Sequence, residues 1–164
     1  MRTTDGLTVL APDEGDVFGP PLDLEIKATA AETGGWGVVV VSGLPGEGGR
    51  THVHRGQAEG FFLFEGEVEL LGAESVTRIA AGTFVLVPPD IEHGLRIVGT
   101  GPARWLAIWP SALDGFPAAH EALVAAGGSP GALVELRHRH GIETGRDRRR
   151  EPPSGALDRG ADAD

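Results

Sequence analysis

The sequence contains no cysteine, which excludes disulfides, thiolate zinc sites, iron–sulfur clusters and a thiol nucleophile. Nitrogen and oxygen are left as the donors for any bound metal. Long apolar runs are also missing. The longest, 105–109 and 122–126, fall far short of the roughly 20 residues that cross a bilayer, and Met1 to Leu10 has no signal-type apolar stretch. A cytoplasmic protein with no membrane partner is expected. Positive charge is in deficit, with 14 Lys and Arg against 24 Asp and Glu, and the net charge of -10 repels phosphate backbones. Nucleic acid is therefore not an expected partner. No G-x-S-x-G elbow supports a serine hydrolase, and Gly34-Gly35 and Gly48-Gly49 read as turns with no phosphate loop around them.

What the chain has in excess is punctuation. Its 26 glycines and 12 prolines, about twice ordinary usage, fall between short apolar runs in a chain of 164 residues. Those runs predict strands at 7–10, 22–28, 36–42, 51–54, 60–64, 68–71, 76–79, 83–87, 94–98 and 104–109. Ten strands with no helix between them describe a sandwich or barrel. Helical period appears only afterwards, at 117–126 and again from the Ser129-Pro130 cap and first turn to about His140, before Gly141. The expected domain is 1–140, with a barrel at about 7–110 and helices at about 116–140 packed against it. Residues 141–164 are expected to be a disordered charged tail, because they hold too few apolar residues to offset ordering entropy. The basic run Arg146 to Arg150 reads as part of that solvated tail.

Chemistry concentrates in two stretches. In Gly46-Glu-Gly-Gly-Arg-Thr-His52-Val-His54, the histidines sit two apart in a strand and share a face. Glu59 follows after the turn 55–58, at the start of the next strand, where its carboxylate can close a second edge of the same site. A third histidine, His93, comes after a Pro-Pro-Asp turn. Three neutral imidazoles and one carboxylate form a mixed ligand set suited to Fe(II), Mn, Co, Ni, Cu or Zn. The H-x-H pair alone is equally compatible with a half-buried strand that binds nothing. His138 and His140 repeat its spelling in a predicted helix, where positions two apart diverge by about 200° and cannot share an ion. They are expected to complement the helix C-terminus, and His120 to lie on the surface.

The full pattern carries a resemblance. Gly46, His52, His54, Glu59 and Gly66 fit G-x5-H-x-H-x4-E-x6-G, and Gly82, Pro88 and His93 fit G-x5-P-x4-H. These are similar to the two motifs of the cupin superfamily, which implies an all-β jelly-roll barrel with one or two C-terminal helices and the metal inside. Thr33-Gly34-Gly35, the run Phe61 to Gly66, Pro102-Ala103-Arg104 and Gly115-Phe116 further resemble the quercetin 2,3-dioxygenase-like single-domain cupins, over roughly residues 7–126. Two positions depart from the pattern. Asp90 stands where the second motif has glycine, and Ile97 where it has asparagine four residues after the histidine. Asp tolerates the left-handed turn, and Ile97 makes the pocket wall more apolar.

Strand parity gives a first pocket. If Glu59 and His93 face inward, so do Phe61, Leu63, Leu95 and Ile97, and the lining suits a flat hydrophobic molecule. The same residues would equally serve as simple barrel filling. Trp36, Trp105 and Trp109 are expected in the core or a dimer interface. The resemblance implies a metal-dependent dioxygenase that binds Fe(II) in preference to Mn, Ni, Co, Cu or Zn. Its substrates would be O2 and a small hydrophobic or aromatic molecule bearing an enol or hydroxyl. Glu59, the one carboxylate at a motif position facing the site, is the expected base. Cupins with the same ligands are also isomerases, cyclases and decarboxylases, and a non-catalytic small-molecule binder is a third alternative. Since jelly-roll cupins commonly pair their outer sheet faces, a homodimer is expected through strands such as Val38 to Val41.

Overall fold

The computed structural model describes residues 2–20 and 22–145. The chain runs as β1 (Arg2–Thr4), β2 (Leu7–Val9), β3 (Asp16–Phe18), β4 (Asp23–Ala28), α1 (Ala30–Thr33) and β5 (Trp36–Gly43). It continues with β6 (His52–His54), β7 (Glu59–Glu65), β8 (Glu67–Leu71), β9 (Val76–Ala80), β10 (Phe84–Val87), β11 (Gly94–Val98) and β12 (Ala103–Pro110). A 3-10 turn at Ser111–Leu113 leads to α2 (Phe116–Ala125), α3 (Pro130–Arg139) and β13 (Ile142–Thr144). All ten expected strands form, in an all-β jelly roll with two C-terminal helices. No described helix is long and apolar enough to cross a membrane.

One sheet has the order β10-β7-β12-β5-β4-β3 and the other β11-β8-β9, while β13 pairs with β6 and β1 with β2. Bridges between His52 and His93 and between Gly48 and Arg96 tie β6 and the loop before it to β11. Alternation selects the core. On β5, Val39 and Val41 are buried while Val38 and Val40 are half-buried, and on β12 Ala103, Trp105 and Ala107 point the same way. With Leu63, Val68 and Ile97 they form one cluster between the sheets. Each such side chain contributes about 1.5–3 kcal/mol on burial.

Motif residues that bear no ligand serve the backbone. Gly66 has φ 80, and a Cβ there would lie 2.4 Å from the Pro102 carbonyl oxygen, so the β7–β8 turn requires glycine. Asp90 has φ 64 in the turn before His93, as its tolerance of the left-handed region predicts. Ser129 caps α3 through its Oγ, which accepts from the Ala132 N–H at 3.2 Å.

Three expectations are corrected. A helix does interrupt the strands: Thr29 and Glu32 form a reciprocal capping box that closes the single turn α1. Strands also form at Arg2–Thr4 and Asp16–Phe18, pieces too short for alternation to register. Most consequentially, the tail does not begin at 141. Ile142, Glu143 and Thr144 pair with His54, Val53 and His52, and Ile142 is buried against the barrel. The rest of the expected tail, 146–164, with Arg146 to Arg150, lies outside the described residues.

Candidate metal centre

Backbone pairing places the four ligands before any side chain is considered. The strand β6 is held on both flanks, by β13 on one side and by His93 on the other. The His52 N–H donates to the His93 carbonyl at 2.9 Å and the His93 N–H returns to His52 at 2.9 Å. The Asp90 N–H donates to the His54 carbonyl at 3.1 Å, which docks the Pro-Pro-Asp turn. Glu59 opens β7 opposite Val87, with its side chain on the inner face.

The side chains then converge. One ligand atom from each of His52, His54, Glu59 and His93 lies within 4.8 Å of every other. His52 Nε2 is 3.2 Å from His54 Nε2, His54 Nε2 is 3.1 Å from Glu59 Oε2, and His93 Nε2 is 2.9 Å from the same oxygen. His54, Glu59 and His93 are buried, and His52 is half-buried.

A divalent cation fits this set on two observations. His52 Nδ1 donates to the Arg50 carbonyl at 2.8 Å and His93 Nδ1 to that of Ile91 at 2.9 Å. In each neutral ring that assignment leaves the Nε2 lone pair aimed at the centre, the outer-shell arrangement of metal-bound histidine. The second observation is spacing. Adjacent ligands of an octahedral ion with bonds of about 2.1 Å stand about 3 Å apart, and the donors here are separated by 2.9–3.2 Å where contacts occur. Two ring nitrogens and a carboxylate oxygen crowded so closely are relieved by a shared positive charge.

Electrostatics supports the same state. Burial, reinforced by the positive charge of His93 when protonated, pushes His52 down to about 4, so its ring is neutral at neutral pH. Burial alone would raise Glu59, but hydrogen bonds with His54 and His93 outweigh it and hold the carboxyl at about 2. Burial would lower His93, yet its hydrogen bond to Glu59 prevails and raises it. Without a cation, Glu59 thus favours the protonated form of His93, and a metal would compete with that proton.

The cluster lies in the wall of a cavity of about 440 Å³. Phe61 and Leu95 line it as parity predicts. Leu63 and Ile97 do not: both are 1% exposed and packed in the core, so their assignment to the pocket is corrected. Alternation gave the face correctly, but two residues along a strand is a step of about 6.6 Å, past the cavity and into the packed interior. Trp105 and Trp109 line the cavity, whereas Trp36 is 48% exposed. His120, expected on the surface, is half-buried and lines the cavity from α2. His138 is exposed, and His140 Nδ1 donates to the Ala112 carbonyl at 2.7 Å. Ile142 and Thr144 also line the cavity. No motif marked these additions, because tertiary packing brings α2 and β13 to the barrel.

A jelly-roll barrel with three histidines and a glutamate converging on one point defines a metal-binding class. Residues 39–109, which hold all four of these side chains, match the family model described as the cupin domain. Solved structures share the fold at low identity. The polyketide cyclase RemF of Streptomyces resistomycificus superposes with a TM-score of 0.57 at 11% identity, over 64% of this chain and 80% of that one. KdgF from Halomonas sp. gives 0.54 at 20% identity, over 63% and 94%. A predicted oxalate decarboxylase from Thermotoga maritima gives 0.52 at 16%, over 54% and 79%. No curated protein matches the sequence.

Proposed function

We propose that this cupin is a metal-dependent dioxygenase of the quercetin 2,3-dioxygenase-like kind. Its substrate would be a small hydrophobic or aromatic molecule carrying an enol or hydroxyl. The observation that carries this reading is that the four ligands open onto a cavity whose remaining wall is largely apolar and aromatic, with Phe61, Leu95, Trp105 and Trp109 among its lining. Such a wall excludes water around an apolar body while one end of the molecule meets the cluster. A bound divalent ion, Fe(II) for this nitrogen and oxygen set, supplies Lewis acidity to the substrate oxygen and one-electron chemistry toward O2.

The chain's own residues do the rest. His52 and His93 are fixed in ring orientation by their Nδ1–H bonds to backbone carbonyls. Glu59 is ionised, buried and within 3.1 Å of two imidazoles, so its Oε2 can accept the substrate's hydroxyl proton within the cavity. The non-oxidative alternative, an isomerase, cyclase or decarboxylase, uses the same groups without O2. The test is elemental analysis of protein purified without added metal, followed by an O2-electrode screen of flavonols, diketones and catechols. Substrate conversion with stoichiometric O2 uptake is expected. Conversion without O2 uptake would replace this reading by the non-oxidative one.

We also propose a homodimer. Phe62, Phe84, Leu86 and Ile108 are 38–64% exposed and share the outer face of the six-stranded sheet, beside half-buried Val38 and Val40. Sedimentation at micromolar concentration is expected to give twice 17.1 kDa, and a monomer would refute it.

A further inference from the structure

Away from the metal centre the cavity lining is also polar at Arg50, Glu121, Arg137, Thr144 and His120. His120, on α2, is half-buried beside Phe116, with ring centroids 5.8 Å apart and planes tilted by 31°. A second histidine on the same aromatic ring gives a measure of what a purely structural one does here. His140 stands 5.5 Å from Phe116 and donates its Nδ1–H to the Ala112 carbonyl. His120 has the same neighbour, yet its ring nitrogens have no hydrogen-bond partner among the described residues. A neutral imidazole offers one donor and one acceptor, and an apolar wall satisfies neither. Trp105 adds a second group of this kind. It lines the cavity at 3% exposure, and its indole N–H has no acceptor among the described residues.

Leu113, Phe116 and Pro117 line the cavity from the same segment as His120, and Glu121 and Arg137 complete that part of the lining. The helix that carries it lies outside residues 39–109, the stretch that matches the family model. We propose that His120 is a specificity residue, and that the cavity takes an elongated ligand polar at both ends. One end carries a metal-binding oxygen, the body is flat and apolar, and the other end carries a hydroxyl or carbonyl that hydrogen-bonds His120. This rests on reading the cavity as the approach to the metal.

The test uses 2-naphthohydroxamic acid and its 6-hydroxy derivative, which share a chelating head and a flat body and differ by one distal hydroxyl. Affinities are measured by calorimetric titration of the full chain loaded with Zn(II), and again after metal removal. The 6-hydroxy probe is expected to bind the native chain about tenfold more tightly, the scale of one hydrogen bond. His120→Phe keeps the stack on Phe116 and is expected to erase that difference, leaving the unsubstituted probe within about twofold. His120→Gln restores a hydrogen-bonding group and is expected to recover part of the preference. No preference in the native chain, or a preference surviving in His120→Phe, overturns the proposal. So does an equal loss for both probes, which marks a merely structural role. Metal-dependent binding without a distal preference leaves the metal-site reading standing, whereas binding independent of metal, or none, removes both.

Discussion

The metal end of the cavity and its helical roof are built on opposite terms. At the metal end, backbone ladders fix every ligand: His52 exchanges two hydrogen bonds with His93, and Nδ1–H bonds orient both rings. At the roof, α2 presents His120 with no hydrogen bond of its own among the described residues, in a lining that mixes Leu113, Phe116 and Pro117 with Glu121 and Arg137. The contrast separates a part organised in advance for one ion from a part whose polar group awaits a ligand. Chemistry that tolerates little displacement belongs at the first, and discrimination between molecules belongs at the second.

The sharpest way to break the comparison is to remove a ligand. Replacing His52 or His54 with Ala is expected to abolish stoichiometric metal, while His138→Ala, on the exposed side of α3, retains it. Equal metal in all three variants by elemental analysis would sink the assignment. Next in size is Glu59→Gln, which keeps the shape and one oxygen donor but loses basicity. Metal is expected to be held somewhat more weakly while turnover falls by about 10²–10⁴. Near-normal turnover in the metal-loaded variant would leave Glu59 as a ligand only.

Metal-free protein should also show the buried charges directly. His52 titrates at about 4 when folded and near 6.5 unfolded, so the stability it contributes is complete above 6.5 and lost as pH falls toward 4. His93 is raised, so its contribution is complete below 6.5 and changes only at higher pH. The fall between pH 6.5 and about 5 therefore belongs to His52, whose full contribution is at most about 3 kcal/mol, and below about 5 the lowered carboxyl of Glu59 adds its own loss. Chelator-treated protein melted across that range checks it, and a flat profile would contradict the neutral, buried ring.

Much of the metal end was legible in the sequence because strand geometry has period two. His52 and His54 had to share a face, and the inward set Glu59, Phe61 and Leu63 followed from one residue. Alternation carries no depth, which is why Leu63 and Ile97 were placed in the cavity when they fill the core. The strand β13, which flanks the ligand strand, was illegible for a different reason. Ile142 to Thr144 is three residues long, follows a basic helix end and precedes a charged stretch, so nothing local distinguishes it from a tail. Its pairing with β6 is a tertiary event. The consequence is measurable: Ile142 is 8% exposed, and Ile142→Ala is expected to destabilise the fold by about 2 kcal/mol, read by denaturant unfolding. A change within experimental error would mean that β13 does not pack as described.

The smallest expected effect lies at the one motif position that departs from glycine yet keeps the turn. Asp90 at φ 64 occupies a region where an L side chain costs roughly 1 kcal/mol, less for Asp than for most residues. Asp90→Gly removes that strain. It also removes Oδ1, which accepts from the Gly56 N–H at 3.3 Å and stands 3.6 Å from the exposed Arg55 guanidinium, and it gives the unfolded chain more freedom. An exposed ion pair and a long hydrogen bond contribute a few tenths of a kcal/mol each, so the terms nearly cancel and a net change within about 0.5 kcal/mol is expected. The backbone bond from the Asp90 N–H to the His54 carbonyl survives the substitution, so metal stoichiometry should not change. Loss of metal in Asp90→Gly would show that this side chain, and not the turn it closes, positions His93.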